Sequence, residues 1–126
     1  MPVFSIRIII SLFALNLFSD AANNEKYQWE RLKFESRDAF IIMPKNHIKA
    51  QIPWVMYAPT LRGLPNERDE GWMIGHFLES GIAVAGINIG ESYGNPAGRE
   101  IYTKFHQFLT AERSFNQKAC LLARSR

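Results

Sequence analysis

Short apolar runs alternate with amphipathic stretches along most of the chain, and this alternation predicts its elements. Four runs of apolar, β-branched and aromatic residues, each bounded by Pro, Gly or Asn, are typical of strands and cover residues 39–43, 54–58, 82–89 and 119–123. The run at 82–89 is almost unbroken, which is the pattern of a strand covered on both faces.

Two helices are predicted between the last three strands. Asn66 is a suitable N-cap for the first, with Asp69 in the first turn and Gly81 as a left-handed stop. Trp72 is expected to face the core, together with the apolar residues that lie at helical spacing from it in the same helix. The second helix begins with Asn95 as cap and Pro96 at the first helical position, and its apolar stripe is Ile101, Tyr102, Phe105, Phe108 and Leu109.

The order strand, helix, strand, helix, strand predicts an α/β domain with right-handed crossovers. We expect a mostly parallel sheet with helices on both faces, incomplete at the C-terminus, over residues 39–126. Residues 22–38 are more polar and are interpreted as a lead-in that is irregular or an edge strand.

The first 21 residues have the pattern of a signal peptide. Arg7 precedes an apolar run at 8–18, and Ser19-Asp20-Ala21 offers a site for cleavage after Ala21. The run is shorter than the roughly 20 residues that a membrane helix needs, so an uncleaved anchor is the less favoured alternative. The mature chain is therefore expected in the periplasm or outside the cell, without a stable membrane span.

Composition narrows the classes of function. The chain is 47% hydrophobic, and its net charge of +3 comes from scattered Lys and Arg residues, without the clustered cations that a nucleic-acid partner requires. Cys120 is the single cysteine, so no internal disulfide can form. Its place in an apolar strand pattern predicts a buried, chemically inert side chain.

Two serines are candidates for a nucleophile. Ser92 lies in Gly90-Glu91-Ser92-Tyr93-Gly94, a literal G-x-S-x-G sequence, but the next helix begins only near Pro96, which leaves Ser92 in a loop. Ser125 directly follows the last apolar strand, with the small residue Ala123 two positions before it, as in a strand-to-helix nucleophile elbow. Ser125 is therefore the preferred candidate.

Three stretches carry a resemblance to a known family. Trp54-Val55-Met56-Tyr57-Ala58-Pro59-Thr60, the segment from Ile87 to Gly94, and Leu121-Leu122-Ala123-Arg124-Ser125-Arg126 resemble exported bacterial α/β-hydrolases of the esterase and serine-peptidase type. The resemblance implies oxyanion-hole amides at Thr60 or Leu61 and at Arg126, and substrate contacts from Glu91, Ser92 and Tyr93. Ala123 replaces the usual Gly, and the triad acid and histidine that follow the nucleophile in this family have no positions up to residue 126.

The resulting hypothesis is a serine hydrolase that forms an acyl-enzyme from a small ester or peptide substrate, present as a truncated and inactive N-terminal part. No cofactor is expected. No metal site is expected either, because His47, His76 and His106 have no second ligand at metal spacing and Glu67, Asp69 and Glu70 are interpreted as a charged first helical turn. Alternatives are an exported, non-catalytic ligand-binding domain on the same fold and, less favoured, a nucleotide-binding Rossmann domain, which lacks its glycine fingerprint.

Overall fold

The computed structural model of the protein describes residues 27–124. Five strands and two helices follow one another as β1 (Gln28–Phe34), β2 (Arg37–Met43), β3 (Trp54–Ala58), α1 (Glu67–Glu79), β4 (Ala83–Ile87), α2 (Pro96–Glu112) and β5 (Cys120–Ala123). The predicted signal peptide, Ser125 and Arg126 lie outside the described residues.

The five strands form one mixed sheet in the order β1-β2-β4-β3-β5. β3 pairs in parallel with β4 and β5, whereas β2 pairs antiparallel with both β1 and β4. The antiparallel pairings join more residues than the parallel ones. The expectation of a mostly parallel α/β sheet with helices on both faces is therefore wrong: the sheet is mixed and mostly antiparallel, and it carries only two helices in the described part of the chain.

The difference arises in the first part of the fold. A parallel connection needs a crossover of a dozen or more residues, usually a helix, and helices α1 and α2 provide this only between β3, β4 and β5. β1 and β2 instead form a hairpin whose two turn residues, Glu35 and Ser36, have φ of 46° and 65°. Positive φ at both central positions matches the twist of a two-residue hairpin. The lead-in thus contains an edge strand over 28–34, made antiparallel by its turn.

Side chains that alternate along the strands build two cores. The α1-side core combines strand residues with two residues of α1, and consists of Phe40, Ile42, Tyr57, Ile74, Leu78 and Val84. The α2-side core is larger and consists of Ala39, Ile41, Ile52, Trp54, Met56, Ala83, Ala85, Ile87, Phe105, Leu109 and Phe115. Because neighbouring residues of β2 contribute to different cores, that strand is buried on both faces.

Both helix starts are confirmed as predicted. The Asn66 side chain accepts a hydrogen bond from the Arg68 amide, and the Asn95 side chain accepts one from the Gly98 amide. One core assignment is wrong: Trp72 is 71% exposed. The buried stripe of α1 runs instead through Glu70, Ile74, Gly75 and Leu78, which places Trp72 on the solvent side of the helix.

The last strand is more exposed than its apolar sequence predicts. β5 is an edge strand that pairs only with β3 in the described part of the chain. Cys120 is consequently exposed rather than buried, and Leu121 is 66% exposed. An apolar run identifies a strand, but its burial depends on what packs beside it.

Candidate functional site

The carboxyl ends of three parallel strands meet at one edge of the sheet. Ala58 at the end of β3 is in register with Ala123 at the end of β5, and the Arg124 amide donates to the Ala58 carbonyl at 2.9 Å. The chain therefore leaves β5 directly beside Pro59, the first residue of the loop after β3. Ser125 is the next residue in the sequence. In open sheets that contain parallel strands, this carboxyl edge is the usual place for a ligand site.

The loop after β3 is folded down onto the sheet by Thr60. Its side chain is only 7% exposed, and Oγ1 donates to the Tyr57 carbonyl at 3.1 Å. Gly86 in β4 makes this possible, because a Cβ at that position would lie 2.2 Å from Thr60 Oγ1 and 2.9 Å from the Tyr57 carbonyl oxygen. A residue without a Cβ is therefore needed at position 86 for the loop to adopt this conformation.

The backbone of this loop offers hydrogen-bond donors. Within residues 27–124, the backbone N–H groups of Thr60 and Leu61 have no hydrogen-bond acceptor, although the Leu61 carbonyl accepts from the Leu64 amide at 2.9 Å. Two free donors at the carboxyl end of β3 can therefore bind a negatively polarised oxygen, as an oxyanion hole requires.

A polar cluster lies beneath the carboxyl end of β5, with Tyr57 and Glu70 buried and Arg124 exposed. Glu70 in α1 is 8% exposed, and Tyr57 Oη lies 2.9 Å from both of its carboxylate oxygens, to which it donates its proton. Arg124 Nη1 donates to Tyr57 Oη at 2.8 Å and also to Glu70 Oε1. The Asn66 amide donates to Glu70 Oε2 at 2.8 Å. We refer to Tyr57, Glu70 and Arg124 as the Tyr–Glu–Arg cluster.

Electrostatics within the cluster favour a neutral phenol and a charged guanidinium. Burial raises the pKa of Tyr57 above its ordinary value of 10.0, while the hydrogen bond from Arg124 acts in the opposite direction. The hydrogen bond to Tyr57, followed by the charge of Glu70, raises the pKa of Arg124. The guanidinium is therefore a permanent cation on the Glu70 carboxylate.

The loop after β4 is a compact turn held against the start of α2. Tyr93, with φ of 48°, donates from its hydroxyl to Glu91 Oε2 at 2.6 Å. The Ser92 carbonyl accepts from the Asn95 amide at 2.9 Å, and a Cβ at Gly98 would lie 2.4 Å from Ser92 Cβ. Ser92 thus packs on the first turn of α2, in a loop and not at a strand-to-helix elbow.

The predicted site residues line two different cavities. Thr60 and Leu61 line one of about 570 Å³ between the β1–β2 hairpin and the loop after β3. Glu91 and Ser92 line another of about 580 Å³ between α2 and the ends of β3 and β5, where Leu121 and other apolar groups form most of the wall. Tyr93 is 71% exposed. The structure brings the loops to one edge of the sheet but does not unite the predicted residues in a single pocket.

His47 and His106 each contact a backbone carbonyl, and His106 also lines the cavity beside β5. A ring nitrogen of His47 lies 2.9 Å from the Pro44 carbonyl oxygen, and one of His106 lies 2.9 Å from the Gln117 carbonyl oxygen. Across residues 27–124, no three side chains of His, Cys, Asp or Glu are grouped so as to hold a metal ion.

The Tyr–Glu–Arg cluster was missed by sequence analysis. Glu70 was interpreted as part of a charged first helical turn, and no role was predicted for Tyr57. One signal was available, since a tyrosine in the middle of an apolar strand usually finds a hydroxyl partner when it is buried. That partner is 13 residues away in Glu70, on an element whose orientation the sequence did not define.

Comparison with known proteins does not assign the chain to a family. No protein-family model matches the chain, and no curated protein is detectably similar to it. Over residues 27–124, neither helix has the length and apolar character needed to cross a membrane.

Proposed function

We propose that this chain carries the nucleophile and one side of the oxyanion hole of an exported serine hydrolase of the α/β-hydrolase type. The observation that carries the proposal is the hydrogen bond from the Arg124 amide to the Ala58 carbonyl. This bond places the end of β5 next to the start of the loop after β3, which contains the amides of Thr60 and Leu61. A nucleophile elbow needs the same neighbours, because its oxyanion hole combines an amide from the loop after the third strand with the amide that follows the serine.

The proposed reaction is acyl transfer. Ser125 Oγ attacks the carbonyl carbon of an ester or peptide, while a histidine acting as general base takes the hydroxyl proton. The amide of Thr60 or Leu61 and that of Arg126 donate to the oxyanion, each lowering the barrier by about 3 kcal/mol. The histidine then gives its proton to the leaving group, and water releases the acyl group from Ser125.

The loop after β4 is proposed to contact the substrate. Glu91 and Ser92 line the cavity beside β5, and Tyr93 is coupled to them through its hydrogen bond to Glu91. The apolar wall of this cavity suits an apolar acyl or side-chain group, while Glu91 supplies a polar rim. The predicted signal peptide supports action outside the cytoplasm.

The test is covalent labelling of the full-length gene product with a fluorophosphonate, followed by peptide mapping. We expect label on Ser125, none in the Ser125→Ala variant, and unchanged labelling in the matched Ser92→Ala variant. Label on Ser92 would instead identify Ser92 as the nucleophile. A folded protein that takes up no label would favour the alternative of a non-catalytic binding domain, with the cavity beside β5 as its ligand site.

A further inference from the structure

Two cavities meet beside the β1–β2 hairpin. The larger is the cavity of about 570 Å³ between the hairpin and the loop after β3, and a second of about 230 Å³ adjoins it. Arg31, Phe40, Gly63 and Leu64 line both. Small-molecule sites have volumes of roughly 300–1,000 Å³, with apolar walls and a few polar groups. We refer to the two as the hairpin cavities.

The hairpin cavities lie where the connections of the sheet diverge. Their walls include the loop after β3 and Asn88, which follows β4, so they are at the carboxyl edge of both strands. The chain after β3 leads to α1, whose residues join one core, and the chain after β4 leads to α2, whose residues join the other. In open sheets, ligands usually bind at the carboxyl edge between two connections that run to opposite faces.

A buried indole N–H beside the smaller cavity has no acceptor. Trp29 lines this cavity, its Nε1 is shielded from solvent, and within residues 27–124 no group accepts its proton. Trp54 has the usual arrangement, because its Nε1 donates to the Asn116 carbonyl at 2.9 Å. Since a buried indole N–H usually finds a partner, the position of Trp29 indicates an acceptor that binds from the cavity.

The charges around the hairpin cavities favour an acceptor that is an anion. The Arg31 guanidinium lies 5.0 Å from the centroid of the Trp29 ring, so a positive charge is next to the indole donor. Arg62 lines the larger cavity and forms no ion pair within the described part of the chain. Over both cavities the walls hold three cationic and two anionic side chains, and one ion pair, Lys33–Asp38, is already formed at 2.6 Å.

We propose that the hairpin cavities bind a small organic anion. Its carboxylate or phosphate group is held by Arg31 and Arg62 and accepts from Trp29 Nε1, while its apolar body packs on Phe40 and Leu64. Guanidinium groups suit this role because their hydrogen bonds to carboxylate and phosphate are charge-assisted. The site does not depend on the proposed hydrolase activity, and it is separate from the cavity beside β5.

The experiment follows indole N–H signals of the full-length gene product by two-dimensional ¹⁵N NMR. Trp29→Phe and Trp54→Phe identify the signals of the two tryptophans. Phenyl phosphate and benzoate are the probes, and benzyl alcohol is the uncharged control. We expect a saturable shift of the Trp29 signal with at least one of the two anions, which identifies the preferred group. The Trp54 signal should stay in place, because its N–H is already paired.

Arg62→Gln tests the cation, and Arg99→Gln is its matched control. Both arginines are exposed, and neither forms an ion pair in residues 27–124, but Arg99 lines the cavity beside β5. We expect the dissociation constant of the bound anion to rise at least about tenfold in Arg62→Gln and to be unchanged in Arg99→Gln. Both variants should keep the thermal midpoint of the wild type, since each substitution is on the surface.

Four results would overturn the inference. The first is no saturable shift of the Trp29 signal with either anion, and the second is wild-type affinity in Arg62→Gln. The third is weaker binding in Arg99→Gln alone, which would assign the anion to the cavity beside β5. The fourth is an equal shift with benzyl alcohol, which would show that the charge of the ligand plays no part. None of these results bears on labelling by a fluorophosphonate, so the two proposals are tested separately.

Discussion

Arg124 donates a hydrogen bond to the Tyr57 hydroxyl at 2.8 Å across 67 residues of sequence. The bond links the end of the edge strand β5 to the centre of the α1-side core. Since the same guanidinium contacts Glu70, a strand that pairs on one side only is attached to the interior by a charged group.

Replacing Tyr57 with Phe is expected to destabilise the protein while preserving its packing. The variant removes the hydroxyl that binds both Glu70 oxygens, and a hydrogen bond to a charged group contributes about 1.5–3 kcal/mol to the free energy of unfolding. Urea denaturation measures the loss. The control is Tyr93→Phe, at an exposed position, with an expected change within about 0.5 kcal/mol. Equal midpoints for the two variants would contradict the assigned role of the cluster.

Gly86→Ala and Gly71→Ala are expected to change stability in opposite directions. The methyl group at Gly86 meets Thr60 Oγ1 and the Tyr57 carbonyl at 2.2 and 2.9 Å, and such overpacking costs about 1–3 kcal/mol. At Gly71 in α1 nothing lies within 4 Å of the added methyl, so alanine is expected to gain about 0.5–1 kcal/mol from its helix preference. Thermal denaturation of the two variants measures both changes in stability. A stable Gly86→Ala variant would refute the close packing of Thr60.

Alkaline pH is expected to destabilise the protein through two phenols, the buried Tyr57 and the half-buried Tyr102. Burial raises the pKa values of Tyr57 and Tyr102 in the folded state above the ordinary 10.0. The fold thus favours the neutral phenols, and this contribution is complete below the unfolded-state pKa and is lost as the pH rises through the folded-state values. Urea midpoints measured above pH 10 should fall less steeply in Tyr57→Phe and Tyr102→Phe than in the wild type. Identical pH profiles for all three proteins would exclude this linkage.

Asn95→Ala is expected to weaken the start of α2 and the adjoining loop. The Asn95 side chain accepts from the Gly98 amide at 2.8 Å, and loss of such a cap costs about 0.5–2 kcal/mol. Hydrogen exchange should become faster in the first turn of α2, while the centre of the helix is unchanged. Asn46→Ala, in the exposed loop after β2, serves as control and should leave exchange in α2 at the wild-type rate. If the first turn of α2 exchanged at the same rate in both variants, Asn95 would not act as a cap.

The candidate site was predictable only in part. The sequence identified the loops after β3 and β4 because turn residues follow apolar strands there, and parallel pairing does bring the ends of β3 and β5 together. It did not reveal that Thr60 and Ser92 line separate cavities. Which side of a sheet edge a loop folds toward depends on long-range packing, here of Thr60 on Gly86.

Short-range signals in the sequence are sufficient to locate the helices and most strands of this protein. Asn66 and Asn95 mark the helix starts because a capping side chain acts on amides two or three residues away. Tertiary structure alone decided the direction of β2, the burial of Glu70 and the exposure of Cys120. Each of these depends on partners far along the chain, and the free energy of burying a carboxylate or exposing an apolar strand is defined only once those partners are in place.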